Sequence, residues 1–82
     1  MMILVDPGGH MVSTESEHEL HRFAVRLGLK RQWYQCGGRA QRHPHYDLTT
    51  ARKIQQATCA GAVMVETRQL VRLAWWAQEA ER

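Results

Sequence analysis

Residues 2–9 read MILVDPGG, a short apolar run that ends in residues favouring a turn. An uninterrupted apolar run of this length is typical of a strand that is buried on both faces. Strands buried on both faces belong mainly to parallel sheets that are covered by helices. The beginning of the chain therefore predicts the first strand of a parallel sheet.

The segments that follow alternate between helical and extended patterns. A capping box and apolar residues at helical spacing predict the first helix, and similar signals predict two more. The third helix is expected to have Thr67 as its N-cap and to point Leu70, Val71, Leu73, Ala74 and Ala77 inward. The polar residues of the second predicted strand favour an edge strand. The predicted elements are strands at 2–5, 29–36 and 62–65, and helices at 14–28, 49–60 and from 67 onward. This βαβαβα order predicts one α/β domain over residues 1–82. We expect a three-stranded parallel sheet with right-handed crossovers and helices packed on its faces.

Two histidines lie one turn apart on the first predicted helix. His18 and His21 fall outside the apolar stripe formed by Leu20, Phe23 and Leu27. Histidines at this spacing can hold a metal, but no third ligand is near them in the sequence. We therefore expect both side chains to face solvent.

The densest group of chemically active side chains follows the second predicted strand, in residues 42–49, which read RHPHYDLT. Side chains alternate between the two sides of an extended backbone, so His43, His45 and Asp47 would project to the same side. Histidine can bind metals or transfer protons near neutral pH, and aspartate can bind metals or accept hydrogen bonds. The pattern predicts a site.

Asp6 and His10, which follow the first predicted strand, are expected to meet this group. In open parallel sheets, ligands bind beyond the carboxyl ends of the strands, where the connecting loops gather. Either residue would complete a metal site with His43, His45 and Asp47. Nitrogen and oxygen ligands suit zinc or manganese, which could activate water for hydrolysis of a phosphoester.

The same stretch also predicts a ligand site that needs no metal. Arg42 and His45 would hold a phosphate together with the N-terminus of the second helix, and Tyr46 would contact the rest of the ligand. The expected ligand is phosphorylated or nucleotide-like. The complete predicted set of ligand-binding residues is Asp6, His10, Arg42, His45, Tyr46 and Asp47.

Two other interpretations of these residues remain open. Asp47 could cap the second helix, with His45 and Tyr46 satisfying backbone groups of the loop. Cys36 with His10 or His45 could form a nucleophile and its base, although such a pair often occurs by chance.

The positive charge of the chain is concentrated around the histidine-rich stretch. The net charge is +3, and six of the eleven basic residues lie in residues 30–53, against Asp47 as the single acidic residue there. This placement favours an anionic small molecule as partner. Direct binding of nucleic acid is a weaker expectation, because the charge is low and neither a recognition-helix pattern nor a ladder of aromatic residues is evident.

The third predicted helix contains adjacent tryptophans, Trp75 and Trp76, which would point about 100° apart. Either the small core covers both, or a second subunit or a partner protein covers one. The second alternative predicts a homodimer through the third helix. It also predicts an accessory protein without chemistry of its own, which would bind and inhibit a host protein through Trp75, Trp76 and Arg39.

Composition indicates an ordinary globular domain, with 44% apolar and 23% charged residues. No apolar run approaches the roughly 20 residues of a membrane span. The N-terminus lacks the basic segment of a signal peptide, so we expect a soluble cytoplasmic protein. Cys36 and Cys59 are too few for a disulfide framework and are expected to be free thiols.

Motifs spread over nearly the whole chain resemble one small family. They are ILVDP at 3–7, the histidine at 10, ELHRFAVRLG at 19–28, HYDL at 45–48, GAV at 61–63, and Arg68, Leu70 and Val71. The set resembles a domain-of-unknown-function family of bacteria and their phages, marked by a His-Tyr-Asp motif. The resemblance implies a stand-alone domain, often in phage or mobile-element contexts, and no particular activity. The short Gly8-Gly9 link departs from the pattern, because relatives often have a tryptophan-containing loop there.

Overall fold

The computed structural model describes residues 2–35 and 43–80. In this part of the chain, a five-stranded sheet packs with four α-helices and one short 3-10 helix. The strands are β1 (Ile3–Val5), β2 (His10–Ser13), β3 (Tyr34–Gln35), β4 (His45–Asp47) and β5 (Val63–Met64). The α-helices are α1 (Glu17–Arg26), α2 (Ala51–Cys59), α3 (Thr67–Leu73) and α4 (Trp75–Ala80), and the 3-10 helix is Arg31–Trp33.

The sheet is mixed and mostly antiparallel, so the prediction of a three-stranded parallel sheet is wrong. The strand order is β3-β4-β2-β1-β5, and within the described residues only β1 and β5 pair in parallel. The error arises at the first turn. Residues 6–9 do not lead into a helix, because β2 folds straight back and pairs antiparallel with β1.

Gly9 allows this turn and fixes the distance between the turn and β4. Its φ is +91°, a left-handed conformation that glycine adopts without a steric penalty. A Cβ atom at this position would lie 2.2 Å from the carbonyl oxygen of Leu48. The amide of Leu48 donates to the Gly9 carbonyl at 2.7 Å. The hairpin turn and the end of β4 are therefore held together backbone to backbone.

The first two helices lie where the sequence places them. Ser16 caps α1 by accepting a hydrogen bond from the Glu19 amide at 3.0 Å, and Thr50 caps α2 by accepting from the Lys53 amide at 3.1 Å. Gly28 follows α1 with a φ of +77°, so it ends the helix as predicted. In packing, α1 contacts β2 and α2 contacts β1.

The second predicted strand is much shorter than expected. Of its described residues, Arg31–Trp33 form a 3-10 helix and only Tyr34–Gln35 pair as β3. As predicted, β3 lies at an edge of the sheet. The prediction for residue 36 falls outside the described residues.

The third predicted helix is broken in two. Ala74 has extended dihedral angles, with ψ at 149°, and separates α3 from α4. Glu66, rather than Thr67, is the N-cap residue of α3. Val71 and Leu73 are exposed, so the expectation that they point inward is wrong.

The core consists of apolar residues from β1 and β2, the inner sides of the helices and the segments between them. Its largest fully buried apolar side chains are Leu4, Met11, Leu20 and Tyr46. In residues 2–35 and 43–80, no helix is both long enough and apolar enough to cross a membrane.

Candidate functional site

Four polar residues meet at one edge of the sheet. Because β2 runs antiparallel to both β1 and β4, the carboxyl ends of β1 and β4 lie at the same edge as the beginning of β2. Asp6 follows β1, His10 begins β2, Asp47 ends β4, and Thr67 begins the helix after β5. The structure therefore brings Asp6 and His10 next to Asp47, although through a hairpin and not through parallel strands.

Asp6 is fully buried and is the anchor of this edge. Its carboxylate accepts hydrogen bonds from the Thr67 hydroxyl at 2.7 Å and from the His10 amide at 2.9 Å. Burial by itself would raise the pKa of Asp6, but the hydrogen bonds from Thr67 and His10 outweigh it and lower the pKa below its ordinary value. Asp6 is therefore a carboxylate at neutral pH.

This carboxylate orients the imidazole of His10. Nδ1 of His10 lies 2.9 Å from one oxygen of Asp6 and 3.1 Å from the other. A carboxylate only accepts hydrogen bonds, so Nδ1 carries the proton and Nε2 of a neutral ring carries the lone pair. A carboxylate that holds a histidine in this way is the usual support of a metal-binding imidazole.

His45 and Asp47 project to the same face of β4 as His10. Asp47 pairs with His10 across β2 and β4, and residues two apart in a strand share a face. The rings of His10 and His45 lie edge to face, with centroids 5.2 Å apart. This part of the sequence prediction, which places His45 and Asp47 on one side, agrees with the structure.

The hydrogen bonds of His45 leave Nε2 facing an acidic oxygen. Nδ1 lies 2.6 Å from the carbonyl oxygen of His43, which can only accept, so Nδ1 is the protonated nitrogen. Nε2 lies 3.0 Å from Oδ1 of Asp47. Either a second proton on His45 makes this contact an ion pair, or one cation binds both atoms.

The spacing of these groups is close to that of a metal site. His10, His45 and Asp47 each offer one ligand atom, and these atoms all lie within 4.8 Å of one another. Ligand atoms around tetrahedral zinc, with bonds of about 2.0 Å, are about 3.3 Å apart. The contact between His45 and Asp47 already has nearly this length, and the ring of His10 is partly exposed.

Other predicted site residues lie elsewhere. Tyr46 points to the opposite face of β4, where it is buried. His43 precedes β4, and its ring contacts Trp76 with centroids 4.6 Å apart, so only its carbonyl oxygen supports the site. The predicted roles of Arg42, Arg39 and Cys36 fall on residues outside the described ranges.

The two tryptophans make contacts within the chain itself. Trp75 is buried in the core, and the indole of Trp76 donates to the Pro44 carbonyl at 3.0 Å. The small core and the segment just before β4 therefore account for most of the aromatic surface that suggested a partner. Cys59 is a free thiol on the surface, as expected.

Thr67 supports the site in a way that the sequence pattern does not reveal. It has the sequence signal of a helix cap, but its hydroxyl binds Asp6. The available signal is positional, because Thr67 follows a strand whose carboxyl end lies at the same edge as that of β1.

His21 is the clearest departure from the sequence analysis on the first helix. It is buried instead of facing solvent, and its Nδ1 shares a hydrogen bond with the Tyr46 hydroxyl at 2.8 Å. The ring also packs edge-on against Tyr34 at 4.5 Å. Its Nε2 is buried with no hydrogen-bond partner among the described residues. Burial, aided by the charge of Arg31, lowers the pKa of His21.

This burial predicts a loss of stability in mild acid. In the unfolded chain His21 binds a proton near pH 6.5, whereas in the folded chain it binds one only at a lower pH. We expect the contribution of His21 to stay constant above about pH 6.5 and to fall as the pH drops through the folded-state pKa. Urea denaturation at pH 8 and pH 5 measures this change. His18→Ala, at an exposed position on the same helix, should keep the same pH dependence; equal stability at both pH values would contradict the assignment.

Comparison with known proteins identifies the family without giving an activity. Residues 8–77 match the family model described as Protein of unknown function (DUF4031). No match is found among curated proteins or among solved structures. The matched region includes β2, β4 and most of the site residues. The chain therefore belongs to the DUF4031 family of proteins of unknown function.

Proposed function

We propose that the chain binds a divalent metal ion through His10, His45 and Asp47, and that this ion holds the phosphate of an anionic ligand. One observation supports this most strongly. Both imidazoles have Nδ1 engaged, by Asp6 in one case and by the His43 carbonyl in the other, so Nε2 is the nitrogen that each ring can offer to an ion, and Nε2 of His45 already faces Asp47.

The surroundings favour metal binding over a simple ion pair. Asp6 fixes the ring orientation of His10, and Thr67 fixes Asp6 in turn, so this ligand has two layers of support. The backbone contact between Gly9 and Leu48 holds the turn that carries His10 against the end of the strand that carries Asp47. This backbone contact would limit the movement needed to bring His10 and Asp47 onto one ion, which reduces the entropy lost on binding.

The ligand set leaves room for a substrate. Three protein ligands on zinc leave at least one coordination position for water or an anion, as in catalytic zinc sites. Two neutral imidazoles and one carboxylate compensate a single charge of a divalent ion, so a phosphate oxygen is a favourable further ligand. Zinc suits this mixture of nitrogen and oxygen ligands best, and manganese is the second candidate.

Hydrolysis of a phosphate monoester is the reaction that such a site supports. An ion held by His10, His45 and Asp47 would lower the pKa of a bound water, whose oxygen could then attack phosphorus while the bond between phosphorus and the ester oxygen breaks. The released alcohol takes up a proton, and inorganic phosphate is the other product. The site contributes the positioned ligands and a nucleophile that forms near neutral pH.

Calorimetry tests this proposal on the whole chain. We expect purified protein, stripped with a chelator, to bind one equivalent of Zn²⁺ and to rise in melting temperature, because an ion that binds only the folded state stabilises it. Inorganic phosphate should then bind the zinc-loaded protein and not the stripped protein. A chain that takes up no Zn²⁺ or Mn²⁺, or whose phosphate binding is the same with and without metal, would refute the proposal.

A further inference from the structure

A groove of about 390 Å³ opens beside the metal site that we propose. The residues that line it include Leu29, Trp33, Gln35, Asp47 and Lys53. Ligand pockets typically measure about 300–1,000 Å³, so this groove is of the size that holds one small molecule. Asp47 belongs both to the groove and to the metal ligand set, so a molecule in the groove would lie next to the ion.

The chemistry of the walls suits a flat aromatic ring. Trp33 is 39% exposed, which is uncommon for a side chain of its size, and it forms one wall. Leu29 and Leu48 are buried and give the groove an apolar base. Gln32 and Gln35 also line it, and carboxamides both donate and accept hydrogen bonds, as the edge of a nucleobase requires.

Positive charge lies at the groove as well. Lys53 lines it from the first turn of α2, a turn that contains no acidic residue. The ammonium group of Lys30 lies 5.8 Å from the centre of the Trp33 ring. A molecule that combines an aromatic ring with an anionic group would therefore find partners for both parts.

We propose that the groove binds the base and ribose of a mononucleotide, stacked on Trp33, whose phosphate is directed toward Lys53 and the metal at Asp47. This inference rests on the proposed function, since it names the class of phosphorylated ligand. The volume accommodates a single nucleotide, and the net charge of +3 is small for a protein that follows a nucleic-acid strand.

Calorimetric titration of the zinc-loaded protein with three ligands separates the contacts. The ligands are adenosine 5′-monophosphate, ribose 5-phosphate, which has no base, and adenosine, which has no phosphate. We expect the mononucleotide to bind about tenfold more tightly than ribose 5-phosphate, because stacking on an aromatic side chain contributes that much. Guanosine, cytidine and uridine monophosphates test the preference among bases.

Matched variants identify the residues. Trp33→Ala should lower mononucleotide affinity about tenfold and leave ribose 5-phosphate unchanged, whereas Trp33→Phe should retain part of the gain. Lys53→Gln should weaken both phosphorylated ligands, and Arg52→Gln, at the neighbouring exposed position, should weaken neither. Nucleotide binding that is unchanged in Trp33→Ala, or equal affinity for ribose 5-phosphate, would overturn the inference.

The titrations distinguish an error in the proposed groove from an error in the proposed metal site. If only the metal site is wrong, adenosine still binds the metal-free protein in a manner that depends on Trp33. If only the groove is wrong, metal and phosphate bind and the base adds nothing. A single-stranded tetranucleotide that binds more tightly than the mononucleotide would overturn the assignment to single nucleotides and indicate strand binding.

Discussion

Gly9→Ala is expected to lower the free energy of unfolding by about 3 kcal/mol. Three effects add up to this loss: a left-handed backbone conformation that alanine disfavours, a steric overlap and a weakened hydrogen bond. The added Cβ would lie 2.2 Å from the Leu48 carbonyl oxygen, a distance at which the backbone must move. Because the position of a Cβ atom is fixed by the backbone and the Leu48 oxygen is a backbone atom, no side-chain rotation can relieve the overlap. For a domain of this size the melting temperature should fall by roughly 15 °C.

Gly28→Ala is the matched control for this substitution. Gly28 also has a positive φ, +77°, but a Cβ there would meet nothing within 4 Å. Gly28→Ala should therefore lower the free energy of unfolding only by the penalty of a left-handed backbone, about 1 kcal/mol. Thermal melts of the two variants measure the difference. Equal losses in both would mean that the close approach of the turn to β4 does not contribute to stability.

His45→Ala should lower affinity for Zn²⁺ by at least about 100-fold, since removal of a supporting residue alone typically costs 10–100-fold. The variant loses one of the three proposed ligands and leaves Asp47 without its 3.0 Å contact. The fold should persist, because the side chain of His45 is partly exposed and lies outside the apolar core. Isothermal titration with Zn²⁺, alongside circular dichroism of each variant, measures both properties.

His43→Ala is the matched control, two residues away on the same segment. Only the backbone carbonyl of His43 contacts His45, and alanine retains it. Affinity for Zn²⁺ should therefore stay within about threefold of the unmodified chain, with a small loss of stability from the missing contact with Trp76. The ligand assignment would be wrong if both variants lost affinity equally, or if His45→Ala bound zinc normally.

The sequence predicts burial more reliably than strand direction. Ile3, Leu4 and Val5 are buried on both faces, as an uninterrupted apolar run indicates, but they lie between β2 and β5 in a mixed sheet. Burial on both faces is the property that the pattern reports, and a central strand has it in either kind of sheet. The direction of pairing depends on the turn at residues 6–9, which folds back through Gly9 and forms a hairpin.

Short strands and buried polar residues escape a pattern analysis for related reasons. The four residues of β2 are too few to show a period, and their pairing with β1 and β4 depends on contacts between distant parts of the chain. The apolar pair Val63 and Met64 forms an exposed edge strand, although its composition predicts burial. His21 is buried because Tyr34 and Tyr46 surround it, and those residues come from other strands.

The grouping of the candidate side chains is easier to predict than the sheet that carries them. Alternation along a strand correctly places His45 and Asp47 on one side, but β4 begins at His45, so His43 lies outside the strand. Asp6 and His10 meet them because ends of strands converge at an edge in mixed and parallel sheets alike. The groove beside the site could not be predicted, since Trp33 and Lys53, which are distant in sequence, line the same groove as Asp47 only in the folded chain.

Long-range ¹H–¹⁵N NMR spectra of the imidazole nitrogens, recorded before and after one equivalent of Zn²⁺, test the metal site most directly. The structure predicts that the Nε2 resonances of His10 and His45 move to positions typical of a metal-bound nitrogen, while both Nδ1 atoms keep their protons. The resonances of His18, His21 and His43 should not move. Unchanged His10 and His45 resonances at saturating metal, or metal bound at Nδ1, would contradict the account.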